Sequence, residues 1–220
     1  MIEGVPEWPE LPSILVPAPA RNKGQWDKEA YAARYKRQHR DLLTAAGILL
    51  GEKGLAKTTV TDIVARASVS KRTFYEHFAS RDDCLVALLQ RVSVAMARDL
   101  ILAAQENSTL PPSRLVSKLI SSEVSSVRSG AQLARELFGS AYRGARSSLS
   151  EADDEAQELL SRVIAVAARR AGSVLSQSQL ELSARILHYA LGAQLRTSSD
   201  HFPIESTTQV WCQTLGLDVK

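Results

Sequence analysis

The sequence predicts an all-α protein. Apolar residues recur at three- and four-residue spacing from about Tyr31 to Gly216, and no run alternates with period two for long enough to make a strand. Ser, Thr or Pro also stands where several of the helices would begin. With 220 residues, 45% of them hydrophobic and 23% charged, the chain can bury a sizeable core like an ordinary soluble protein. No apolar run approaches the ~18 residues of a membrane span. The opening residues lack a basic and then apolar leader, so a cytoplasmic protein is expected. Cys84 and Cys212, far apart in apolar helical patterns, read as buried free thiols.

The first 20 residues hold five of the eight prolines and read as a flexible arm covering about 1–30. A first helix is expected from Tyr31 or Tyr35 to Lys53, with Leu42, Ala46, Leu49 and Leu50 on one face and Gly54 just past its end. A second starts at Thr59, where Asp62 completes a capping box and Ile63, Val64 and Ala67 form the inner face. Ser70 caps a short third helix. Ser80 caps a fourth that runs to about Gln105, with Asp82 and Asp83 at the positive end of its dipole. Pro111 and Pro112 open a fifth, and further helices are expected at about 131–146, 151–171, 177–197 and 204–216. The acids Glu151, Asp153, Asp154, Glu155 and Glu158 fall in the first turns of one of these, where dipole and solvation explain them better than acid–base catalysis.

Charge is unevenly placed. Residues 1–20 carry three acids and no base, and residues 82–220 carry fourteen bases against fifteen acids. Residues 21–81 carry thirteen Lys/Arg against six Asp/Glu, the concentration expected of a module that meets phosphates, although bases also simply solvate helix faces. Within that segment, helix two, the link "ASV" and helix three form a helix-turn-helix. In such a unit the second helix enters the DNA major groove. Phe74 and Phe78, four apart, face inward with Val69, while Lys71, Arg72, Thr73 and Tyr75 fall on other faces. Arg72 and Lys71 suit guanine O6 and N7, and the Thr73 hydroxyl suits a base or phosphate.

The run "TTVTDIVARASVSKRTFYEHFASRDDCL", residues 58–85, resembles the DNA-binding domain of TetR-family transcriptional regulators. That family shares a pattern near T-x-x-x-I-A-x-x-A-G-V-S-x-G-T-x-Y-x-H-F-x-x-K-E-x-L. The resemblance covers about residues 36–90; beyond 95 it is architectural. It implies an N-terminal three-helix helix-turn-helix domain at 31–80, followed by a larger helical ligand-binding and dimerisation domain at 81–220. By matching position it implies DNA contacts from Thr59, Thr61, Ser70, Lys71, Arg72, Thr73, Tyr75, His77 and Arg81. Thr59, Tyr75, His77 and Arg81 would hold backbone phosphates; Lys71, Arg72 and Thr73 would read bases. His77 also fits a structural role, and no second His or Cys at helical spacing makes it a metal ligand. Two residues depart from the pattern. Ser68 replaces a glycine, costing on the order of 1 kcal/mol if its φ is positive. Arg72 stands where glycine or proline is common.

The bases Arg34, Lys36, Arg37 and Arg40 either follow the DNA backbone or solvate the start of helix one. In the last two long helices Leu182, Ile186, Tyr189 and Ala193 form one stripe and Leu187, Leu191 and Leu195 another; Val210, Trp211 and Leu215 add a third. These serve either a two-fold dimer interface or the core of a single chain. The resemblance further implies an effector pocket, for which Phe138, Tyr142, His188 and Tyr189 are candidate lining residues and Arg143 and Arg146 candidate anion contacts. Near-palindromic double-stranded DNA, a second copy of the chain and a small-molecule effector are the expected partners. No cofactor, metal or membrane is expected, nor enzymatic activity. The alternative reading is a small all-α carrier or interaction protein whose helix-turn-helix only packs.

Overall fold

A computed structural model describes residues 7–9, 28–129, 148–197 and 202–218. Eight helices and no strand are present among them: α1 (Lys28–Lys53), α2 (Val60–Ala67), α3 (Lys71–His77), α4 (Arg81–Glu106), α5 (Pro112–Ser129), α6 (Ser148–Arg170), α7 (Gln177–Thr197) and α8 (Ile204–Thr214). The helix expected at 131–146 lies outside the described residues, and with it Phe138, Tyr142, Arg143 and Arg146. Helix α1 begins three residues before the earlier expected start, and α6 three residues before its own. Among the described residues no helix is long and apolar enough to cross a membrane.

The chain divides into two compact units. One holds the described residues 28–91 and 148–153; the other holds 7–9, 92–129, 154–197 and 202–218. The division therefore falls inside α4, eleven residues later than the boundary at 80 expected from the motif.

In the first unit Leu42, Leu43, Ala46, Leu49 and Leu50 of α1, Ile63 of α2 and Phe74 of α3 are buried. Helix α1 stops where Gly54, at φ 80°, turns its N–H back 3.0 Å to the Leu50 carbonyl. At the start of α2 the capping box is complete. The Thr59 hydroxyl oxygen accepts from the Asp62 N–H at 3.2 Å, and the Asp62 carboxylate accepts from the Thr59 N–H at 3.0 Å. Lys53 Nζ lies 2.6 Å from the same carboxylate and, with the Thr59 hydrogen bonds, holds its pKa down to about 2. Arg66 makes a forked pair with Glu52. Both ion pairs fasten α2 to the end of α1.

In the second unit Val116, Ile120 and Val124 of α5 share a core with Ile164 and Ala168 of α6, Leu180, Leu187 and Leu191 of α7, and Trp211, Cys212 and Leu215 of α8. A neighbouring cluster joins Val94, Ala97, Leu100 and Ala104 of α4 to Leu115, Leu119, Leu159, Leu160 and Val163. Trp8 packs against that cluster with the Arg170 guanidinium 4.8 Å over its ring, so this residue of the expected flexible arm is held by contacts. Glu158 sits in the third turn of α6 rather than at its start, where it pairs with Arg185 of α7 at 2.6 Å. Gly216, at φ 62°, ends the last turn where an added Cβ would come within 2.9 Å of Leu175.

Candidate nucleic-acid interface

The link between α2 and α3 turns on Ser68, whose φ of 55° and ψ of 41° put it in the left-handed region. It is the one non-glycine residue with positive φ among the described residues. The Val69 N–H returns 3.0 Å to the Val64 carbonyl and the Ser68 N–H 3.3 Å to that of Ala65, closing a helix C-cap that glycine would fill without strain. Ser68→Gly is expected to stabilise the chain by about 0.5–1 kcal/mol, its relief of strain exceeding glycine's greater unfolded-state entropy. Urea unfolding checks this, and a lowered midpoint would show that the serine side chain contributes more than the strain it bears.

Helix α3 begins at Ser70, whose Oγ accepts from the Thr73 N–H at 3.0 Å and lies 3.0 Å from Thr73 Oγ1. Phe74 and Phe78 are buried as the pattern requires, with ring centroids 5.6 Å apart. Tyr35 of α1 stacks on His77 at 3.9 Å between centroids, and its hydroxyl donates to the Glu76 carbonyl at 3.1 Å. His39 of α1 lies 4.8 Å from the Phe78 ring and 5.5 Å from that of His77. The helix is thus fixed to α1 by an aromatic layer on one side.

Its other side is open. Lys71, Arg72 and Tyr75 are exposed, as is Thr61 on α2, and Thr73 is half-buried. The Arg72 side chain is 74% exposed and holds Glu76 at 3.4 Å, a surface pair weak enough to be exchanged for another acceptor. Arg34, Lys36, Arg37 and Arg40 are exposed along α1.

Three residues of the expected set are otherwise engaged. His77 does not face outward. Three residues after Phe74 and one before Phe78, it shares their inward face and is buried. Neither ring nitrogen has a hydrogen-bond partner, and burial, followed by the charge of His39, pushes its pKa down to about 4, against the opposing pull of Glu76. The imidazole expected to hold a phosphate is covered and, at neutral pH, uncharged. Arg81 folds back onto the protein: its guanidinium donates to the carbonyls of Leu55 and Thr58 at 3.4 and 3.3 Å and pairs with Asp82 at 3.0 Å. The Thr59 hydroxyl donates to Asp62 at 2.5 Å and so lacks a free donor.

In the second unit, Trp211, with Leu115, Val116, Leu119, Ile164, Ala167, Ala168, Ala171 and Leu215, lines a small apolar cavity of about 10 Å³. Trp211 and Leu215 therefore belong to the core of the chain, not to an outer stripe. Leu182, Ile186 and Tyr189 of α7 and Val210 of α8 are exposed, whereas Leu187 and Leu191 are buried. Tyr189, 44% exposed, is turned away from the interior, one residue and about 100° round the helix from buried His188. His188 Nδ1 lies 2.7 Å from Oε1 of Glu123, both side chains almost wholly covered. Sequence reasoning passed over Glu123. Its signal was an acid four residues after Leu119 and eight after Leu115, in line with an apolar row.

Residues 42–88 match the family model of the bacterial regulatory proteins of the tetR family. Among solved structures the chain is similar to the multidrug binding protein EbrR complexed with imidazole, with 24% identity over 83% of this chain and 96% of that one and a TM-score of 0.63. A member of the TetR family from Streptomyces coelicolor A3 is 24% identical over 83% of this chain and 99% of its own, with a TM-score of 0.62. The SmeT–triclosan complex is 21% identical over 81% and 89%, also at 0.62. No curated protein matches the chain. The α2–turn–α3 unit lies inside the matched segment, so residues 42–88 carry the N-terminal domain of the tetR family, and the chain shares the all-helical fold of these structures over four-fifths of its length.

Proposed function

We propose that the chain is a homodimeric, sequence-specific transcriptional repressor that leaves a near-palindromic operator when a small molecule binds its second unit. One observation carries the reading: α3 is anchored by Phe74 and Phe78 from behind while Lys71, Arg72 and Tyr75 stand exposed on its outer side. In this reading α3 enters the major groove. Lys71, Arg72 and Thr73 read base edges, Tyr75 holds a phosphate, and Thr61 and Ser70 approach the backbone from the N-terminal ends of α2 and α3. The exposed bases of α1 add electrostatic attraction along the duplex.

One recognition helix buries too little surface for specificity, so two copies are required. The exposed apolar row of Leu182, Ile186 and Tyr189, with Val210 nearby in sequence order on α8, supports pairing through the last two helices. Support for a small-molecule effector comes from EbrR and SmeT, whose similar folds hold imidazole and triclosan.

The test is binding to the DNA upstream of its own gene and to random duplex at two salt concentrations. Specific binding should exceed random binding by at least about a thousandfold and weaken steeply with salt. Tyr75→Phe should weaken binding to all sequences alike, whereas Arg72→Ala should cost about 1–3 kcal/mol at one base position and relax preference there. Equal affinity for upstream and random DNA would remove the proposal.

A further inference from the structure

The core of the second unit contains one polar pair that its packing does not require. Glu123 on α5 and His188 on α7 are about 3% and 5% exposed at their side chains. They sit beside the apolar residues Ile120, Val124, Ala184 and Leu191, each three, one or four positions away on the same two helices. His188 faces only one carboxylate oxygen. Nδ1 and Oε1 lie 2.7 Å apart, an ion-pair distance, yet Nδ1 has no hydrogen-bond partner. Oε2 of Glu123 is fully covered and has no partner. No Lys or Arg is paired with Glu123 among the described residues. A buried carboxylate oxygen left unmatched is costly, and apolar residues at both positions would pack without that cost.

The position of the pair gives it a use. Leu115 and Leu119 form the α5 wall of the apolar cavity, and Glu123 is the next residue in the same row, one turn on. Glu123 does not line the cavity; it stands one turn beyond Leu119, so a ligand that opens the core along α5 by that turn would meet it. What Oε2 lacks is a donor, and in apolar surroundings a cationic donor meets both its hydrogen-bonding need and its charge. We propose that Glu123, beside His188, is the polar end of an effector site for a protonated amine carried on an apolar body. This rests on the effector-responsive reading given above and names the class of effector.

The test is calorimetric titration of the full chain with three probes of one shape: phenethylamine, phenethyl alcohol and hydrocinnamate. The amine is expected to bind about tenfold or more tightly than the alcohol, and the anion least of all. Glu123→Gln should remove the amine's advantage over the alcohol. His188→Gln keeps the carboxylate and should keep the preference, which covers the case in which the Glu123 variant does not fold. Equal binding of amine and alcohol by the unaltered protein would overturn the assignment, as would failure of the amine to bind at all. Operator binding, followed by anisotropy with the same probes, separates the two readings. DNA released by the alcohol or the anion alone upholds the regulator and overturns the amine site. A chain that takes the amine by calorimetry yet ignores its DNA does the reverse.

Discussion

Phe74→Ala will unfold the helix-turn-helix and abolish DNA binding. Phe74 is completely buried, its ring lies 5.6 Å from that of Phe78, and α3 is only seven residues long. So short a helix has no stability of its own and depends on its packed face. Truncating a buried phenylalanine costs about 3–5 kcal/mol, from lost apolar burial and the cavity left behind, against a total of about 5–15 kcal/mol for a domain. Far-ultraviolet circular dichroism should show partial loss of helix at a lowered midpoint, with duplex binding lost in parallel. Tyr75→Ala, one residue on and 55% exposed, should leave the melting curve unchanged and weaken only DNA binding. If both variants melted together with the parent, the aromatic layer would not be what holds α3.

Acid will release the same helix by a different route. His77 is buried against Tyr35 with its pKa lowered to about 4, and burial together with Arg91 also lowers that of nearby His39. In the unfolded chain a histidine titrates near 6.5. A group whose folded pKa is depressed stabilises the fold above its unfolded pKa, and loses that stabilisation as pH falls towards its folded pKa. Stability should therefore be level above about pH 7 and decline between about 6.5 and 4. His77 alone accounts for as much as roughly 3 kcal/mol of that decline. His77→Phe keeps a ring against Tyr35 and should flatten most of the slope in a series of thermal melts at stepped pH. An undiminished slope in that variant would assign acid sensitivity to other groups. Asp62, held down to about 2 by Lys53 and Thr59, titrates below this window.

How these residues were legible differs from case to case. The capping box at Thr59 and Asp62, the caps at Ser70 and Ser80 and the inward pair Phe74 and Phe78 are local features. Each is set by spacing within one turn or two, and the structure carries each as expected. His77 was equally local, since the 74, 77, 78 spacing places it inward. The resemblance, which assigns that position to a phosphate, outweighed the helical geometry. Arg81 was not legible in the same way. Its carbonyl partners Leu55 and Thr58 are 26 and 23 residues distant, and only the folded loop brings them within reach. Trp211 and Val210 make the contrast sharper: adjacent in one apolar run, they part to inside and outside because α8 turns about 100° per residue. Which of two neighbouring apolar stripes faces inward is decided by packing against α5 and α7, which no single helix reveals.

The two native thiols have a practical bearing. Cys84 and Cys212 are free and fully covered; burial pushes the Cys84 thiol up to about 12, with Asp83 adding to it, and burial raises that of Cys212 as well. Maleimides and spin-label reagents attack the thiolate, which both residues withhold at neutral pH behind a closed core. The folded chain therefore presents no competing nucleophile to such a reagent, and a cysteine substituted for exposed Lys71 would carry the label alone. Reporter groups can be set on α3 in an otherwise unaltered protein, with both native cysteines left in place.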